Sequence, residues 1–461
     1  MTAMNLHRIL IANRGEIAVR IIRTCDTLGI ETILAASEAD LDSVAARMAT
    51  ETICIGPSPA ASSYLDVGAV MGAAKQTTAD AIHPGYGFLA ENARLASECE
   101  RAGVVFIGPT RQQLLAIGDK LKAREHALQA GLTVVPGGDV EDVKQALSLG
   151  ARLSWPVLIK AVSGGGGRGM KPVGHPDELA DSMVVAMAEA GAAFGDSRVY
   201  LEHYVESARH IEVQLLGDGE QIIHLGDRDC SVQRRYQKLL EEAPAPGISD
   251  KLRTSMHQAA VEFGLHLNYR GLGTVEFLLD TEHDTFYFLE MNARIQVEHP
   301  VTEAITGLDL VAEQIAVAEG KKLRLCQSDV RLAGHALECR INAEDASRDF
   351  LPSPGLVTHA RFPAGPGVRV DTHIESGVVV PPFYDSLLAK IIVQSDDRSS
   401  AMAEMKRALL NCGIEGLQTN LNTHTQVLSH PEFVEGAVDT GWFSRLMDGQ
   451  NARQGSAQQH D

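Results

Sequence analysis

From Trp155 to Met170 the sequence reads WPVLIKAVSGGGGRGM, with a lysine, Lys160, just ahead of a run of glycines. Consecutive glycines such as Gly165 and Gly166 let backbone N–H groups close around phosphate oxygens without Cβ clashes. By letters, Gly164, Gly166 and Gly169 satisfy G-x-G-x-x-G, but Pro172 follows and no helix opens after the last glycine. A Walker loop fails too, because Met170 stands where its lysine belongs. The pattern left is strand, glycine loop, strand: a flexible lid over a triphosphate, with Lys160 as a point charge beneath it.

A second group of residues follows downstream. Thr274–Leu279 and Thr285–Met291 read as two strands joined by the polar stretch 280–284. Period-two alternation sets Glu276 on the face opposite Val275 and Phe277, and places Glu290, Asn292 and Arg294 on one face if the strand continues. Carboxylates and an amide on apolar strands must be neutralised, and hard oxygen donors with no His/Cys cluster favour Mg²⁺ or Mn²⁺ bridging phosphates. Arg294, Gln296 and Glu298 alternate with apolar residues, so a cation, an amide and a carboxylate converge, which suits a small anion and a general base. The run Arg234-Arg235-Tyr236-Gln237-Lys238, ahead of Glu241-Glu242, reads on charge alone as a solvated face.

These residues need a scaffold. The chain has 461 residues, 44% apolar and 22% charged, with a net charge of −19. The length accommodates roughly three domains, and the apolar share excludes a wholly disordered chain. No apolar run approaches the roughly 20 residues of a membrane span, and the acidic balance argues against broad binding to nucleic acid or anionic membrane. Seven scattered cysteines with no CxxC pair suit reduced thiols. The N-terminus enters a strand pattern at once, without a signal- or transit-peptide pattern, so a cytoplasmic enzyme is expected.

Strand patterns over 7–12, 32–36 and 52–55 alternate with helix patterns over 15–28, 41–48 and 67–75, and predict a doubly wound parallel sheet. In helix 15–28, Ile17, Ile21 and Leu28 share the apolar face. Ligands of such sheets sit beyond the C-terminal strand ends, where the loops 12–16 and 83–87 fall. Further helices are expected over 117–128, 310–319 and 398–410, with a β-rich C-terminal region and a polar tail.

The ordered segments IANRGEIAVRIIR, HPGYGFLAENA, SGGGGRGM, RDCSVQRRYQK, EEAPAPG, EMNARIQVEHPVTE, GHALECRINAED, FLPSPG and YDSLLAK resemble the ATP-grasp biotin carboxylases. That family includes the free subunit of bacterial acetyl-CoA carboxylase and the matching domain of pyruvate and propionyl-CoA carboxylases. The resemblance implies an α/β N-terminal domain over 1–115 and an ATP-grasp domain over 116–330, with a mobile lid about 135–205. It also implies a β-rich α+β C-terminal domain over 331–446, before a disordered tail over 447–461. The activity it implies is ATP-dependent carboxylation of biotin by bicarbonate through carboxyphosphate.

Position by position, Lys120 and Lys160 resemble ATP phosphate ligands, Glu202 and Val205 the adenine hinge, and His210 and Gln233 the ribose contacts. Glu276 and Glu290 match the metal ligands, with Asn292 alongside. Lys238, Arg294, Gln296 and Val297 match the bicarbonate pocket, and Glu298 its base. Arg340 resembles the group stabilising the biotin enolate, and Tyr86 lies where the biotin ring is approached. His203 stands in the hinge where the family often has Lys, Tyr236 near the nucleotide where it often has His, and Ala293 where Thr is common. A dimer is implied, although Pro366 and Thr27 replace the usual aromatic and acidic interface residues. There is no Met-Lys-Met biotinylation motif; Glu404-Met405-Lys406 reads as ordinary surface. Biotin is therefore expected on a carrier protein or subunit, with a carboxyltransferase subunit as the further partner. A second reading is an ATP-grasp ligase that activates bicarbonate or a carboxylate for an acceptor other than biotin.

Overall fold

The computed structural model describes residues 4–163 and 169–448. The glycines Gly165 and Gly166 and the expected tail from 449 onward lie outside the described residues. The chain opens on five parallel strands: β1 (Arg8–Ile11), β2 (Glu31–Ala36), β3 (Glu51–Cys54), β4 (Ala81–His83) and β5 (Val105–Phe106). They pair in the order β3-β2-β1-β4-β5, so the winding reverses between β1 and β4. Apolar strand residues such as Ile9, Leu10, Ile33 and Ile82 are fully buried between helices on both faces, as a parallel sheet requires.

The two loops at the switch point are tied together. Asn13, two residues past β1, donates to the carbonyls of Pro84 at 2.7 Å and Tyr86 at 2.6 Å. Gly85 makes that approach possible: its φ is +60°, and a Cβ there would stand 2.8 Å from the Asn13 amide nitrogen. Helix α1 (Gly15–Leu28) has the bounds read from the sequence and ends where Gly29 turns left-handed. Ile17 and Ile21 are buried, whereas Leu28, in the last position before that turn, is 47% exposed.

The helix expected over 117–128 is two helices, Arg111–Ile117 and Lys120–Gln129. Asp119 breaks the run because its carboxylate accepts from the backbone N–H groups of Leu121 and Lys122, which starts a new helix at Lys120. The 41–48 helix is shorter, Val44–Met48, because Ser43 caps it after a 3-10 turn at Glu38–Asp40.

Strands β6 (Gly137–Asp139), β7 (Val157–Ala161), β8 (Met170–Val173) and β9 (Val199–His203) form a small antiparallel sheet, in the order β6-β9-β7-β8. Helices Val143–Leu153 and Leu179–Phe194 pack on it around a separate core that includes Val157, Ile159, Val173 and Leu201. This is the unit that carries the glycine loop.

The largest sheet has eight strands. β10 (Ala208–Asp218), β11 (Ile222–Arg234), β12 (Gln237–Ala243), β13 (Arg270–Asp280), β14 (Thr285–Asn292) and β15 (His335–Asn342) are joined by Leu387–Ser395 and Val368–Thr372. Their order is β14-β13-β10-β11-β12-β15, then Leu387–Ser395 and Val368–Thr372. The central and C-terminal regions therefore share one sheet, joined where β12 pairs with β15. Buried Glu242 fastens that seam, accepting from His335 at 2.8 Å and from Arg398 at 2.6 Å. Among the described residues no helix is long and apolar enough to cross a membrane.

Gly85→Ala places a Cβ in left-handed backbone and against Asn13, so it should lower unfolding stability by about 1–2 kcal/mol. A urea titration checks this, and an unchanged midpoint would contradict the proposed tie between the two loops.

Candidate active site

Ladder register builds the site. Arg228 on β11 lies opposite Glu212 on β10, Glu212 opposite Glu276 on β13, and Glu276 opposite Glu290 on β14. One cation and three carboxylates thus form a row across four strands, and like charges directly opposite one another repel. The neighbours offset that repulsion. Arg228, entirely buried, donates to Glu212, Gln214, Thr302, Thr274 and Gln296.

Lys238 supplies the second cation. The run that looked like a solvated face is a hairpin turning at Arg235 and Tyr236, both with positive φ. Arg234 and Arg235 pair outward with Asp349, whereas Lys238 points inward. Its ammonium donates to Glu212 at 2.6 Å, Glu276 at 3.1 Å and Glu298 at 2.6 Å. Burial works against this charge, but Cys230, Glu212, Glu276 and Glu298 outweigh burial and hold Lys238 well above the usual lysine range.

The second strand of the carboxylate hairpin ends at Asn292, so 294–298 is not the strand continuation its alternation suggested. The chain instead turns into helix His299–Thr306, with Glu298 at its N-cap position. The expected residues still converge. Gln296 and Asn292 both donate to Glu276, at 2.9 Å and 2.8 Å. Arg294 donates to Asn292 at 2.6 Å and to Glu91 at 3.0 Å. Glu298 accepts from Lys238 on one oxygen and from Arg340, at 2.9 Å, on the other. Burial raises the Glu298 carboxyl, but Lys238, Arg340 and Arg228 more than reverse this and hold it well below the usual range. Arg340 also donates to Glu241 at 2.6 Å. His210 Nε2 lies 3.0 Å from Glu276, whose pKa is depressed by Lys238 and His210 against its burial.

A second cluster lies in the small sheet. Lys160, buried on β7, donates to Glu202 on β9 at 2.9 Å, and Glu202 holds its charge against burial. Lys120 opens its helix in the combined field of Glu290, Lys160, Glu202 and Glu276. Burial lowers the Lys120 ammonium below the usual range, opposed first by Glu290. Val205 and Gln233 are buried, His203 is half-buried, and Tyr236 sits in the hairpin turn, 42% exposed, within the field of Lys160. Tyr86 donates its hydroxyl to buried Glu16, beside a cavity lined by Asn13, Arg14, Phe88, His373 and Asp385.

Glu276 and Glu290 face each other across a hairpin, and two opposed carboxylates are oxygen donors of the kind hard divalent cations prefer. His210, Glu212 and Glu276 also bring ligand atoms within 4.8 Å of one another. Sequence reasoning missed Glu212, Arg228, Glu91, Glu16, Glu241, Glu338 and Lys390. The first had a visible signal, since His210, Glu212 and Gln214 alternate with apolar residues along β10.

Profiles for three families match the chain in order. They are "Biotin carboxylase, N-terminal domain" over residues 5–114, "Carbamoyl-phosphate synthase L chain, ATP binding domain" over 119–326, and "Biotin carboxylase C-terminal domain" over 338–445. A biotin carboxylase of Nostoc sp. is 50% identical over 446 residues, 96% of this chain and 100% of that protein. Biotin carboxylase 1 of Bacillus subtilis is 50% identical over 94% of this chain and 97% of its own length. Among solved structures, the Campylobacter jejuni biotin carboxylase β,γ-ATP complex superposes with a TM-score of 0.93 at 43% identity, covering 96% of this chain and 99% of that one. The biotin carboxylase domain of Hydrogenobacter thermophilus 2-oxoglutarate carboxylase, solved with MgADP, ADP and bicarbonate, gives 0.92 at 41% identity, covering 96% and 98%.

Glu338 provides a test of the electrostatics. It is entirely buried, pairs in register with Glu241 across the β12–β15 seam, and among the described residues neither of its oxygens has a hydrogen-bond partner. Burial drives it well above the ordinary carboxylate value of 4.5, with Lys390 opposing and Glu241 adding to the shift. A carboxyl raised in the folded state contributes stability at low pH and loses it as pH rises past the unfolded value. Glu338→Gln mimics the neutral acid, so its Tm relative to wild type should improve as pH rises above the ordinary carboxyl value of 4.5. A difference independent of pH would contradict this assignment.

Proposed function

The chain belongs to the biotin carboxylase family, and from that premise we propose how its residues carry out the ATP-dependent carboxylation of biotin by bicarbonate. The observation that carries the reading is the junction of Lys238, Glu298 and Arg340 beside the opposed Glu276–Glu290 pair.

Lys120 and Lys160 hold the ATP phosphates beneath the glycine lid of Gly165 and Gly166. Glu202, His203 and Val205 line the adenine hinge, His210 and Gln233 the ribose, and Tyr236 stands at the nucleotide's edge. Glu276 and Glu290, with Asn292, fit Mg²⁺ or Mn²⁺, and such an ion, when bound, offsets charge on the transferring phosphoryl group.

Lys238, Arg294, Gln296 and Val297 hold bicarbonate, and Glu298 takes its proton. Glu298 starts as a weak base because two cations hold it. An incoming anion competes for those cations, and the carboxylate gains proton affinity as it loses them. The oxygen freed of its proton attacks the γ-phosphorus; that O–P bond forms as the bond to ADP breaks, giving carboxyphosphate. The C–O bond to the phosphate then breaks as the carboxyl carbon bonds to a ring nitrogen of biotin, and inorganic phosphate leaves carrying the proton of that nitrogen. Arg340 faces the oxyanion that develops on the ureido group, and Tyr86 borders the ring. Lid closure keeps water from the carboxyphosphate.

Biotin reaches this site on a carrier protein or subunit, and a carboxyltransferase subunit consumes the product. The domain limits proposed are 1–115, 116–330 and 331–446, and a homodimer of a cytoplasmic enzyme is the proposed assembly.

The test is ATP hydrolysis with and without bicarbonate and free biotin. Turnover should require bicarbonate and change on adding biotin; indifference to biotin would favour a ligase for another acceptor. Arg340→Ser should lower biotin carboxylation by at least about 10²-fold while calorimetric affinity for ADP stays near wild type; a large loss of ADP affinity would contradict the role. Glu290→Gln should weaken Mg²⁺-dependent ADP binding roughly tenfold, and an unchanged Mg²⁺ dependence would undo the metal assignment.

A further inference from the structure

Lys390 lies on the strand Leu387–Ser395 and is entirely buried. Its ammonium donates to the Val297 carbonyl at 2.8 Å and sits 3.0 Å from Glu16 Oε1, on α1. Glu16, 2% exposed, also accepts the Tyr86 hydroxyl through that same oxygen. One chain of contacts therefore joins Tyr86, from the loop after β4, to the first turn of α1, to a C-terminal strand, and to the turn that precedes Glu298. Other charged groups near Lys390 include Arg340, directly opposite it on β15, Asp371, 4.0 Å away, Glu338, also on β15, and Arg369, which bonds Asp371.

That turn lies outside the strand ladder; the His299 N–H donates to the Gln296 carbonyl at 3.3 Å, and side chains add to the hold on its peptide planes. His299 Nδ1 donates to the Gln296 carbonyl at 2.7 Å, and Lys390 holds the next carbonyl, that of Val297. The plane held by Lys390 leads directly into Glu298, whose reach to both Lys238 and Arg340 depends on its orientation.

We propose that Lys390 is a positioning residue for the general base: with Glu16 and Tyr86 it locks the Val297–Glu298 peptide and so shapes the bicarbonate pocket from the biotin side. This rests on the reading of the pocket given above. A ligand that engages the Tyr86 hydroxyl would then act on the bicarbonate pocket without touching it.

Two variants test the inference. Glu16→Gln/Lys390→Met removes both buried charges together, leaving neither orphaned, and Tyr86→Phe removes one hydroxyl. In bicarbonate-dependent ATP hydrolysis without biotin, KM for bicarbonate should rise about tenfold in the double variant and about threefold in Tyr86→Phe. KM for ATP and calorimetric affinity for ADP should stay within about twofold of wild type. Unchanged bicarbonate KM in both variants, or equal losses in the ATP and bicarbonate parameters, overturns the proposal. Should the double variant fail to fold, Tyr86→Phe decides by the same criterion. Wild-type protein lacking bicarbonate-dependent turnover would instead sink the reading of the whole site.

Discussion

A single ammonium group holds the centre of this molecule together. Lys238 reaches carboxylates contributed by β10, β13 and the turn before helix His299–Thr306. Each of those three glutamates is at least 95% buried. Removing one partner from such a buried set leaves the others uncompensated, which is far costlier than losing a surface pair. The carboxylate row and the cation that neutralises it therefore have to be placed by the same fold. Strand register does so, because Glu212, Glu276 and Glu290 fall opposite one another on successive strands.

In the proposed reaction the same neutrality gives the site its chemistry. A carboxylate gripped by two cations is stable but a poor base, and an anion that takes those cations turns it into a better one. Binding and activation are then one event. Arg340 extends this logic, since it bonds both Glu298 and Glu241 and so stands between Glu298 and the β12–β15 seam. Because one sheet spans the central and C-terminal regions, the seam carries the Arg340 guanidinium as well as backbone hydrogen bonds.

Much of this was legible in the residue order, and the reasons differ by element. Helix α1 and the parallel strands follow from apolar periodicity, which tertiary packing did not override. Glu276 and Glu290 were found because charged residues on otherwise apolar strands demand an explanation. The 294–298 segment was misread as strand because alternation alone does not distinguish a strand from a turn held by buried side chains. Charge patterning alone hides Lys238, which the resemblance singles out, among neighbours that do face solvent, since Arg234 and Arg235 pair with exposed Asp349. The hairpin turn at 235–236, not composition, separates them. Lys390 and Glu16 could not be paired by any local rule, because they meet only when regions 374 residues apart in sequence dock.

The account turns on bicarbonate oxygen attacking phosphorus in this pocket. Turnover with ¹⁸O-labelled bicarbonate and unlabelled ATP and water, followed by mass analysis of the released phosphate, reads that step directly. If carboxyphosphate forms, each phosphate should carry one labelled oxygen. Unlabelled phosphate would mean that water, and not bicarbonate, receives the phosphoryl group, and the pocket built around Lys238 and Glu298 would need another explanation.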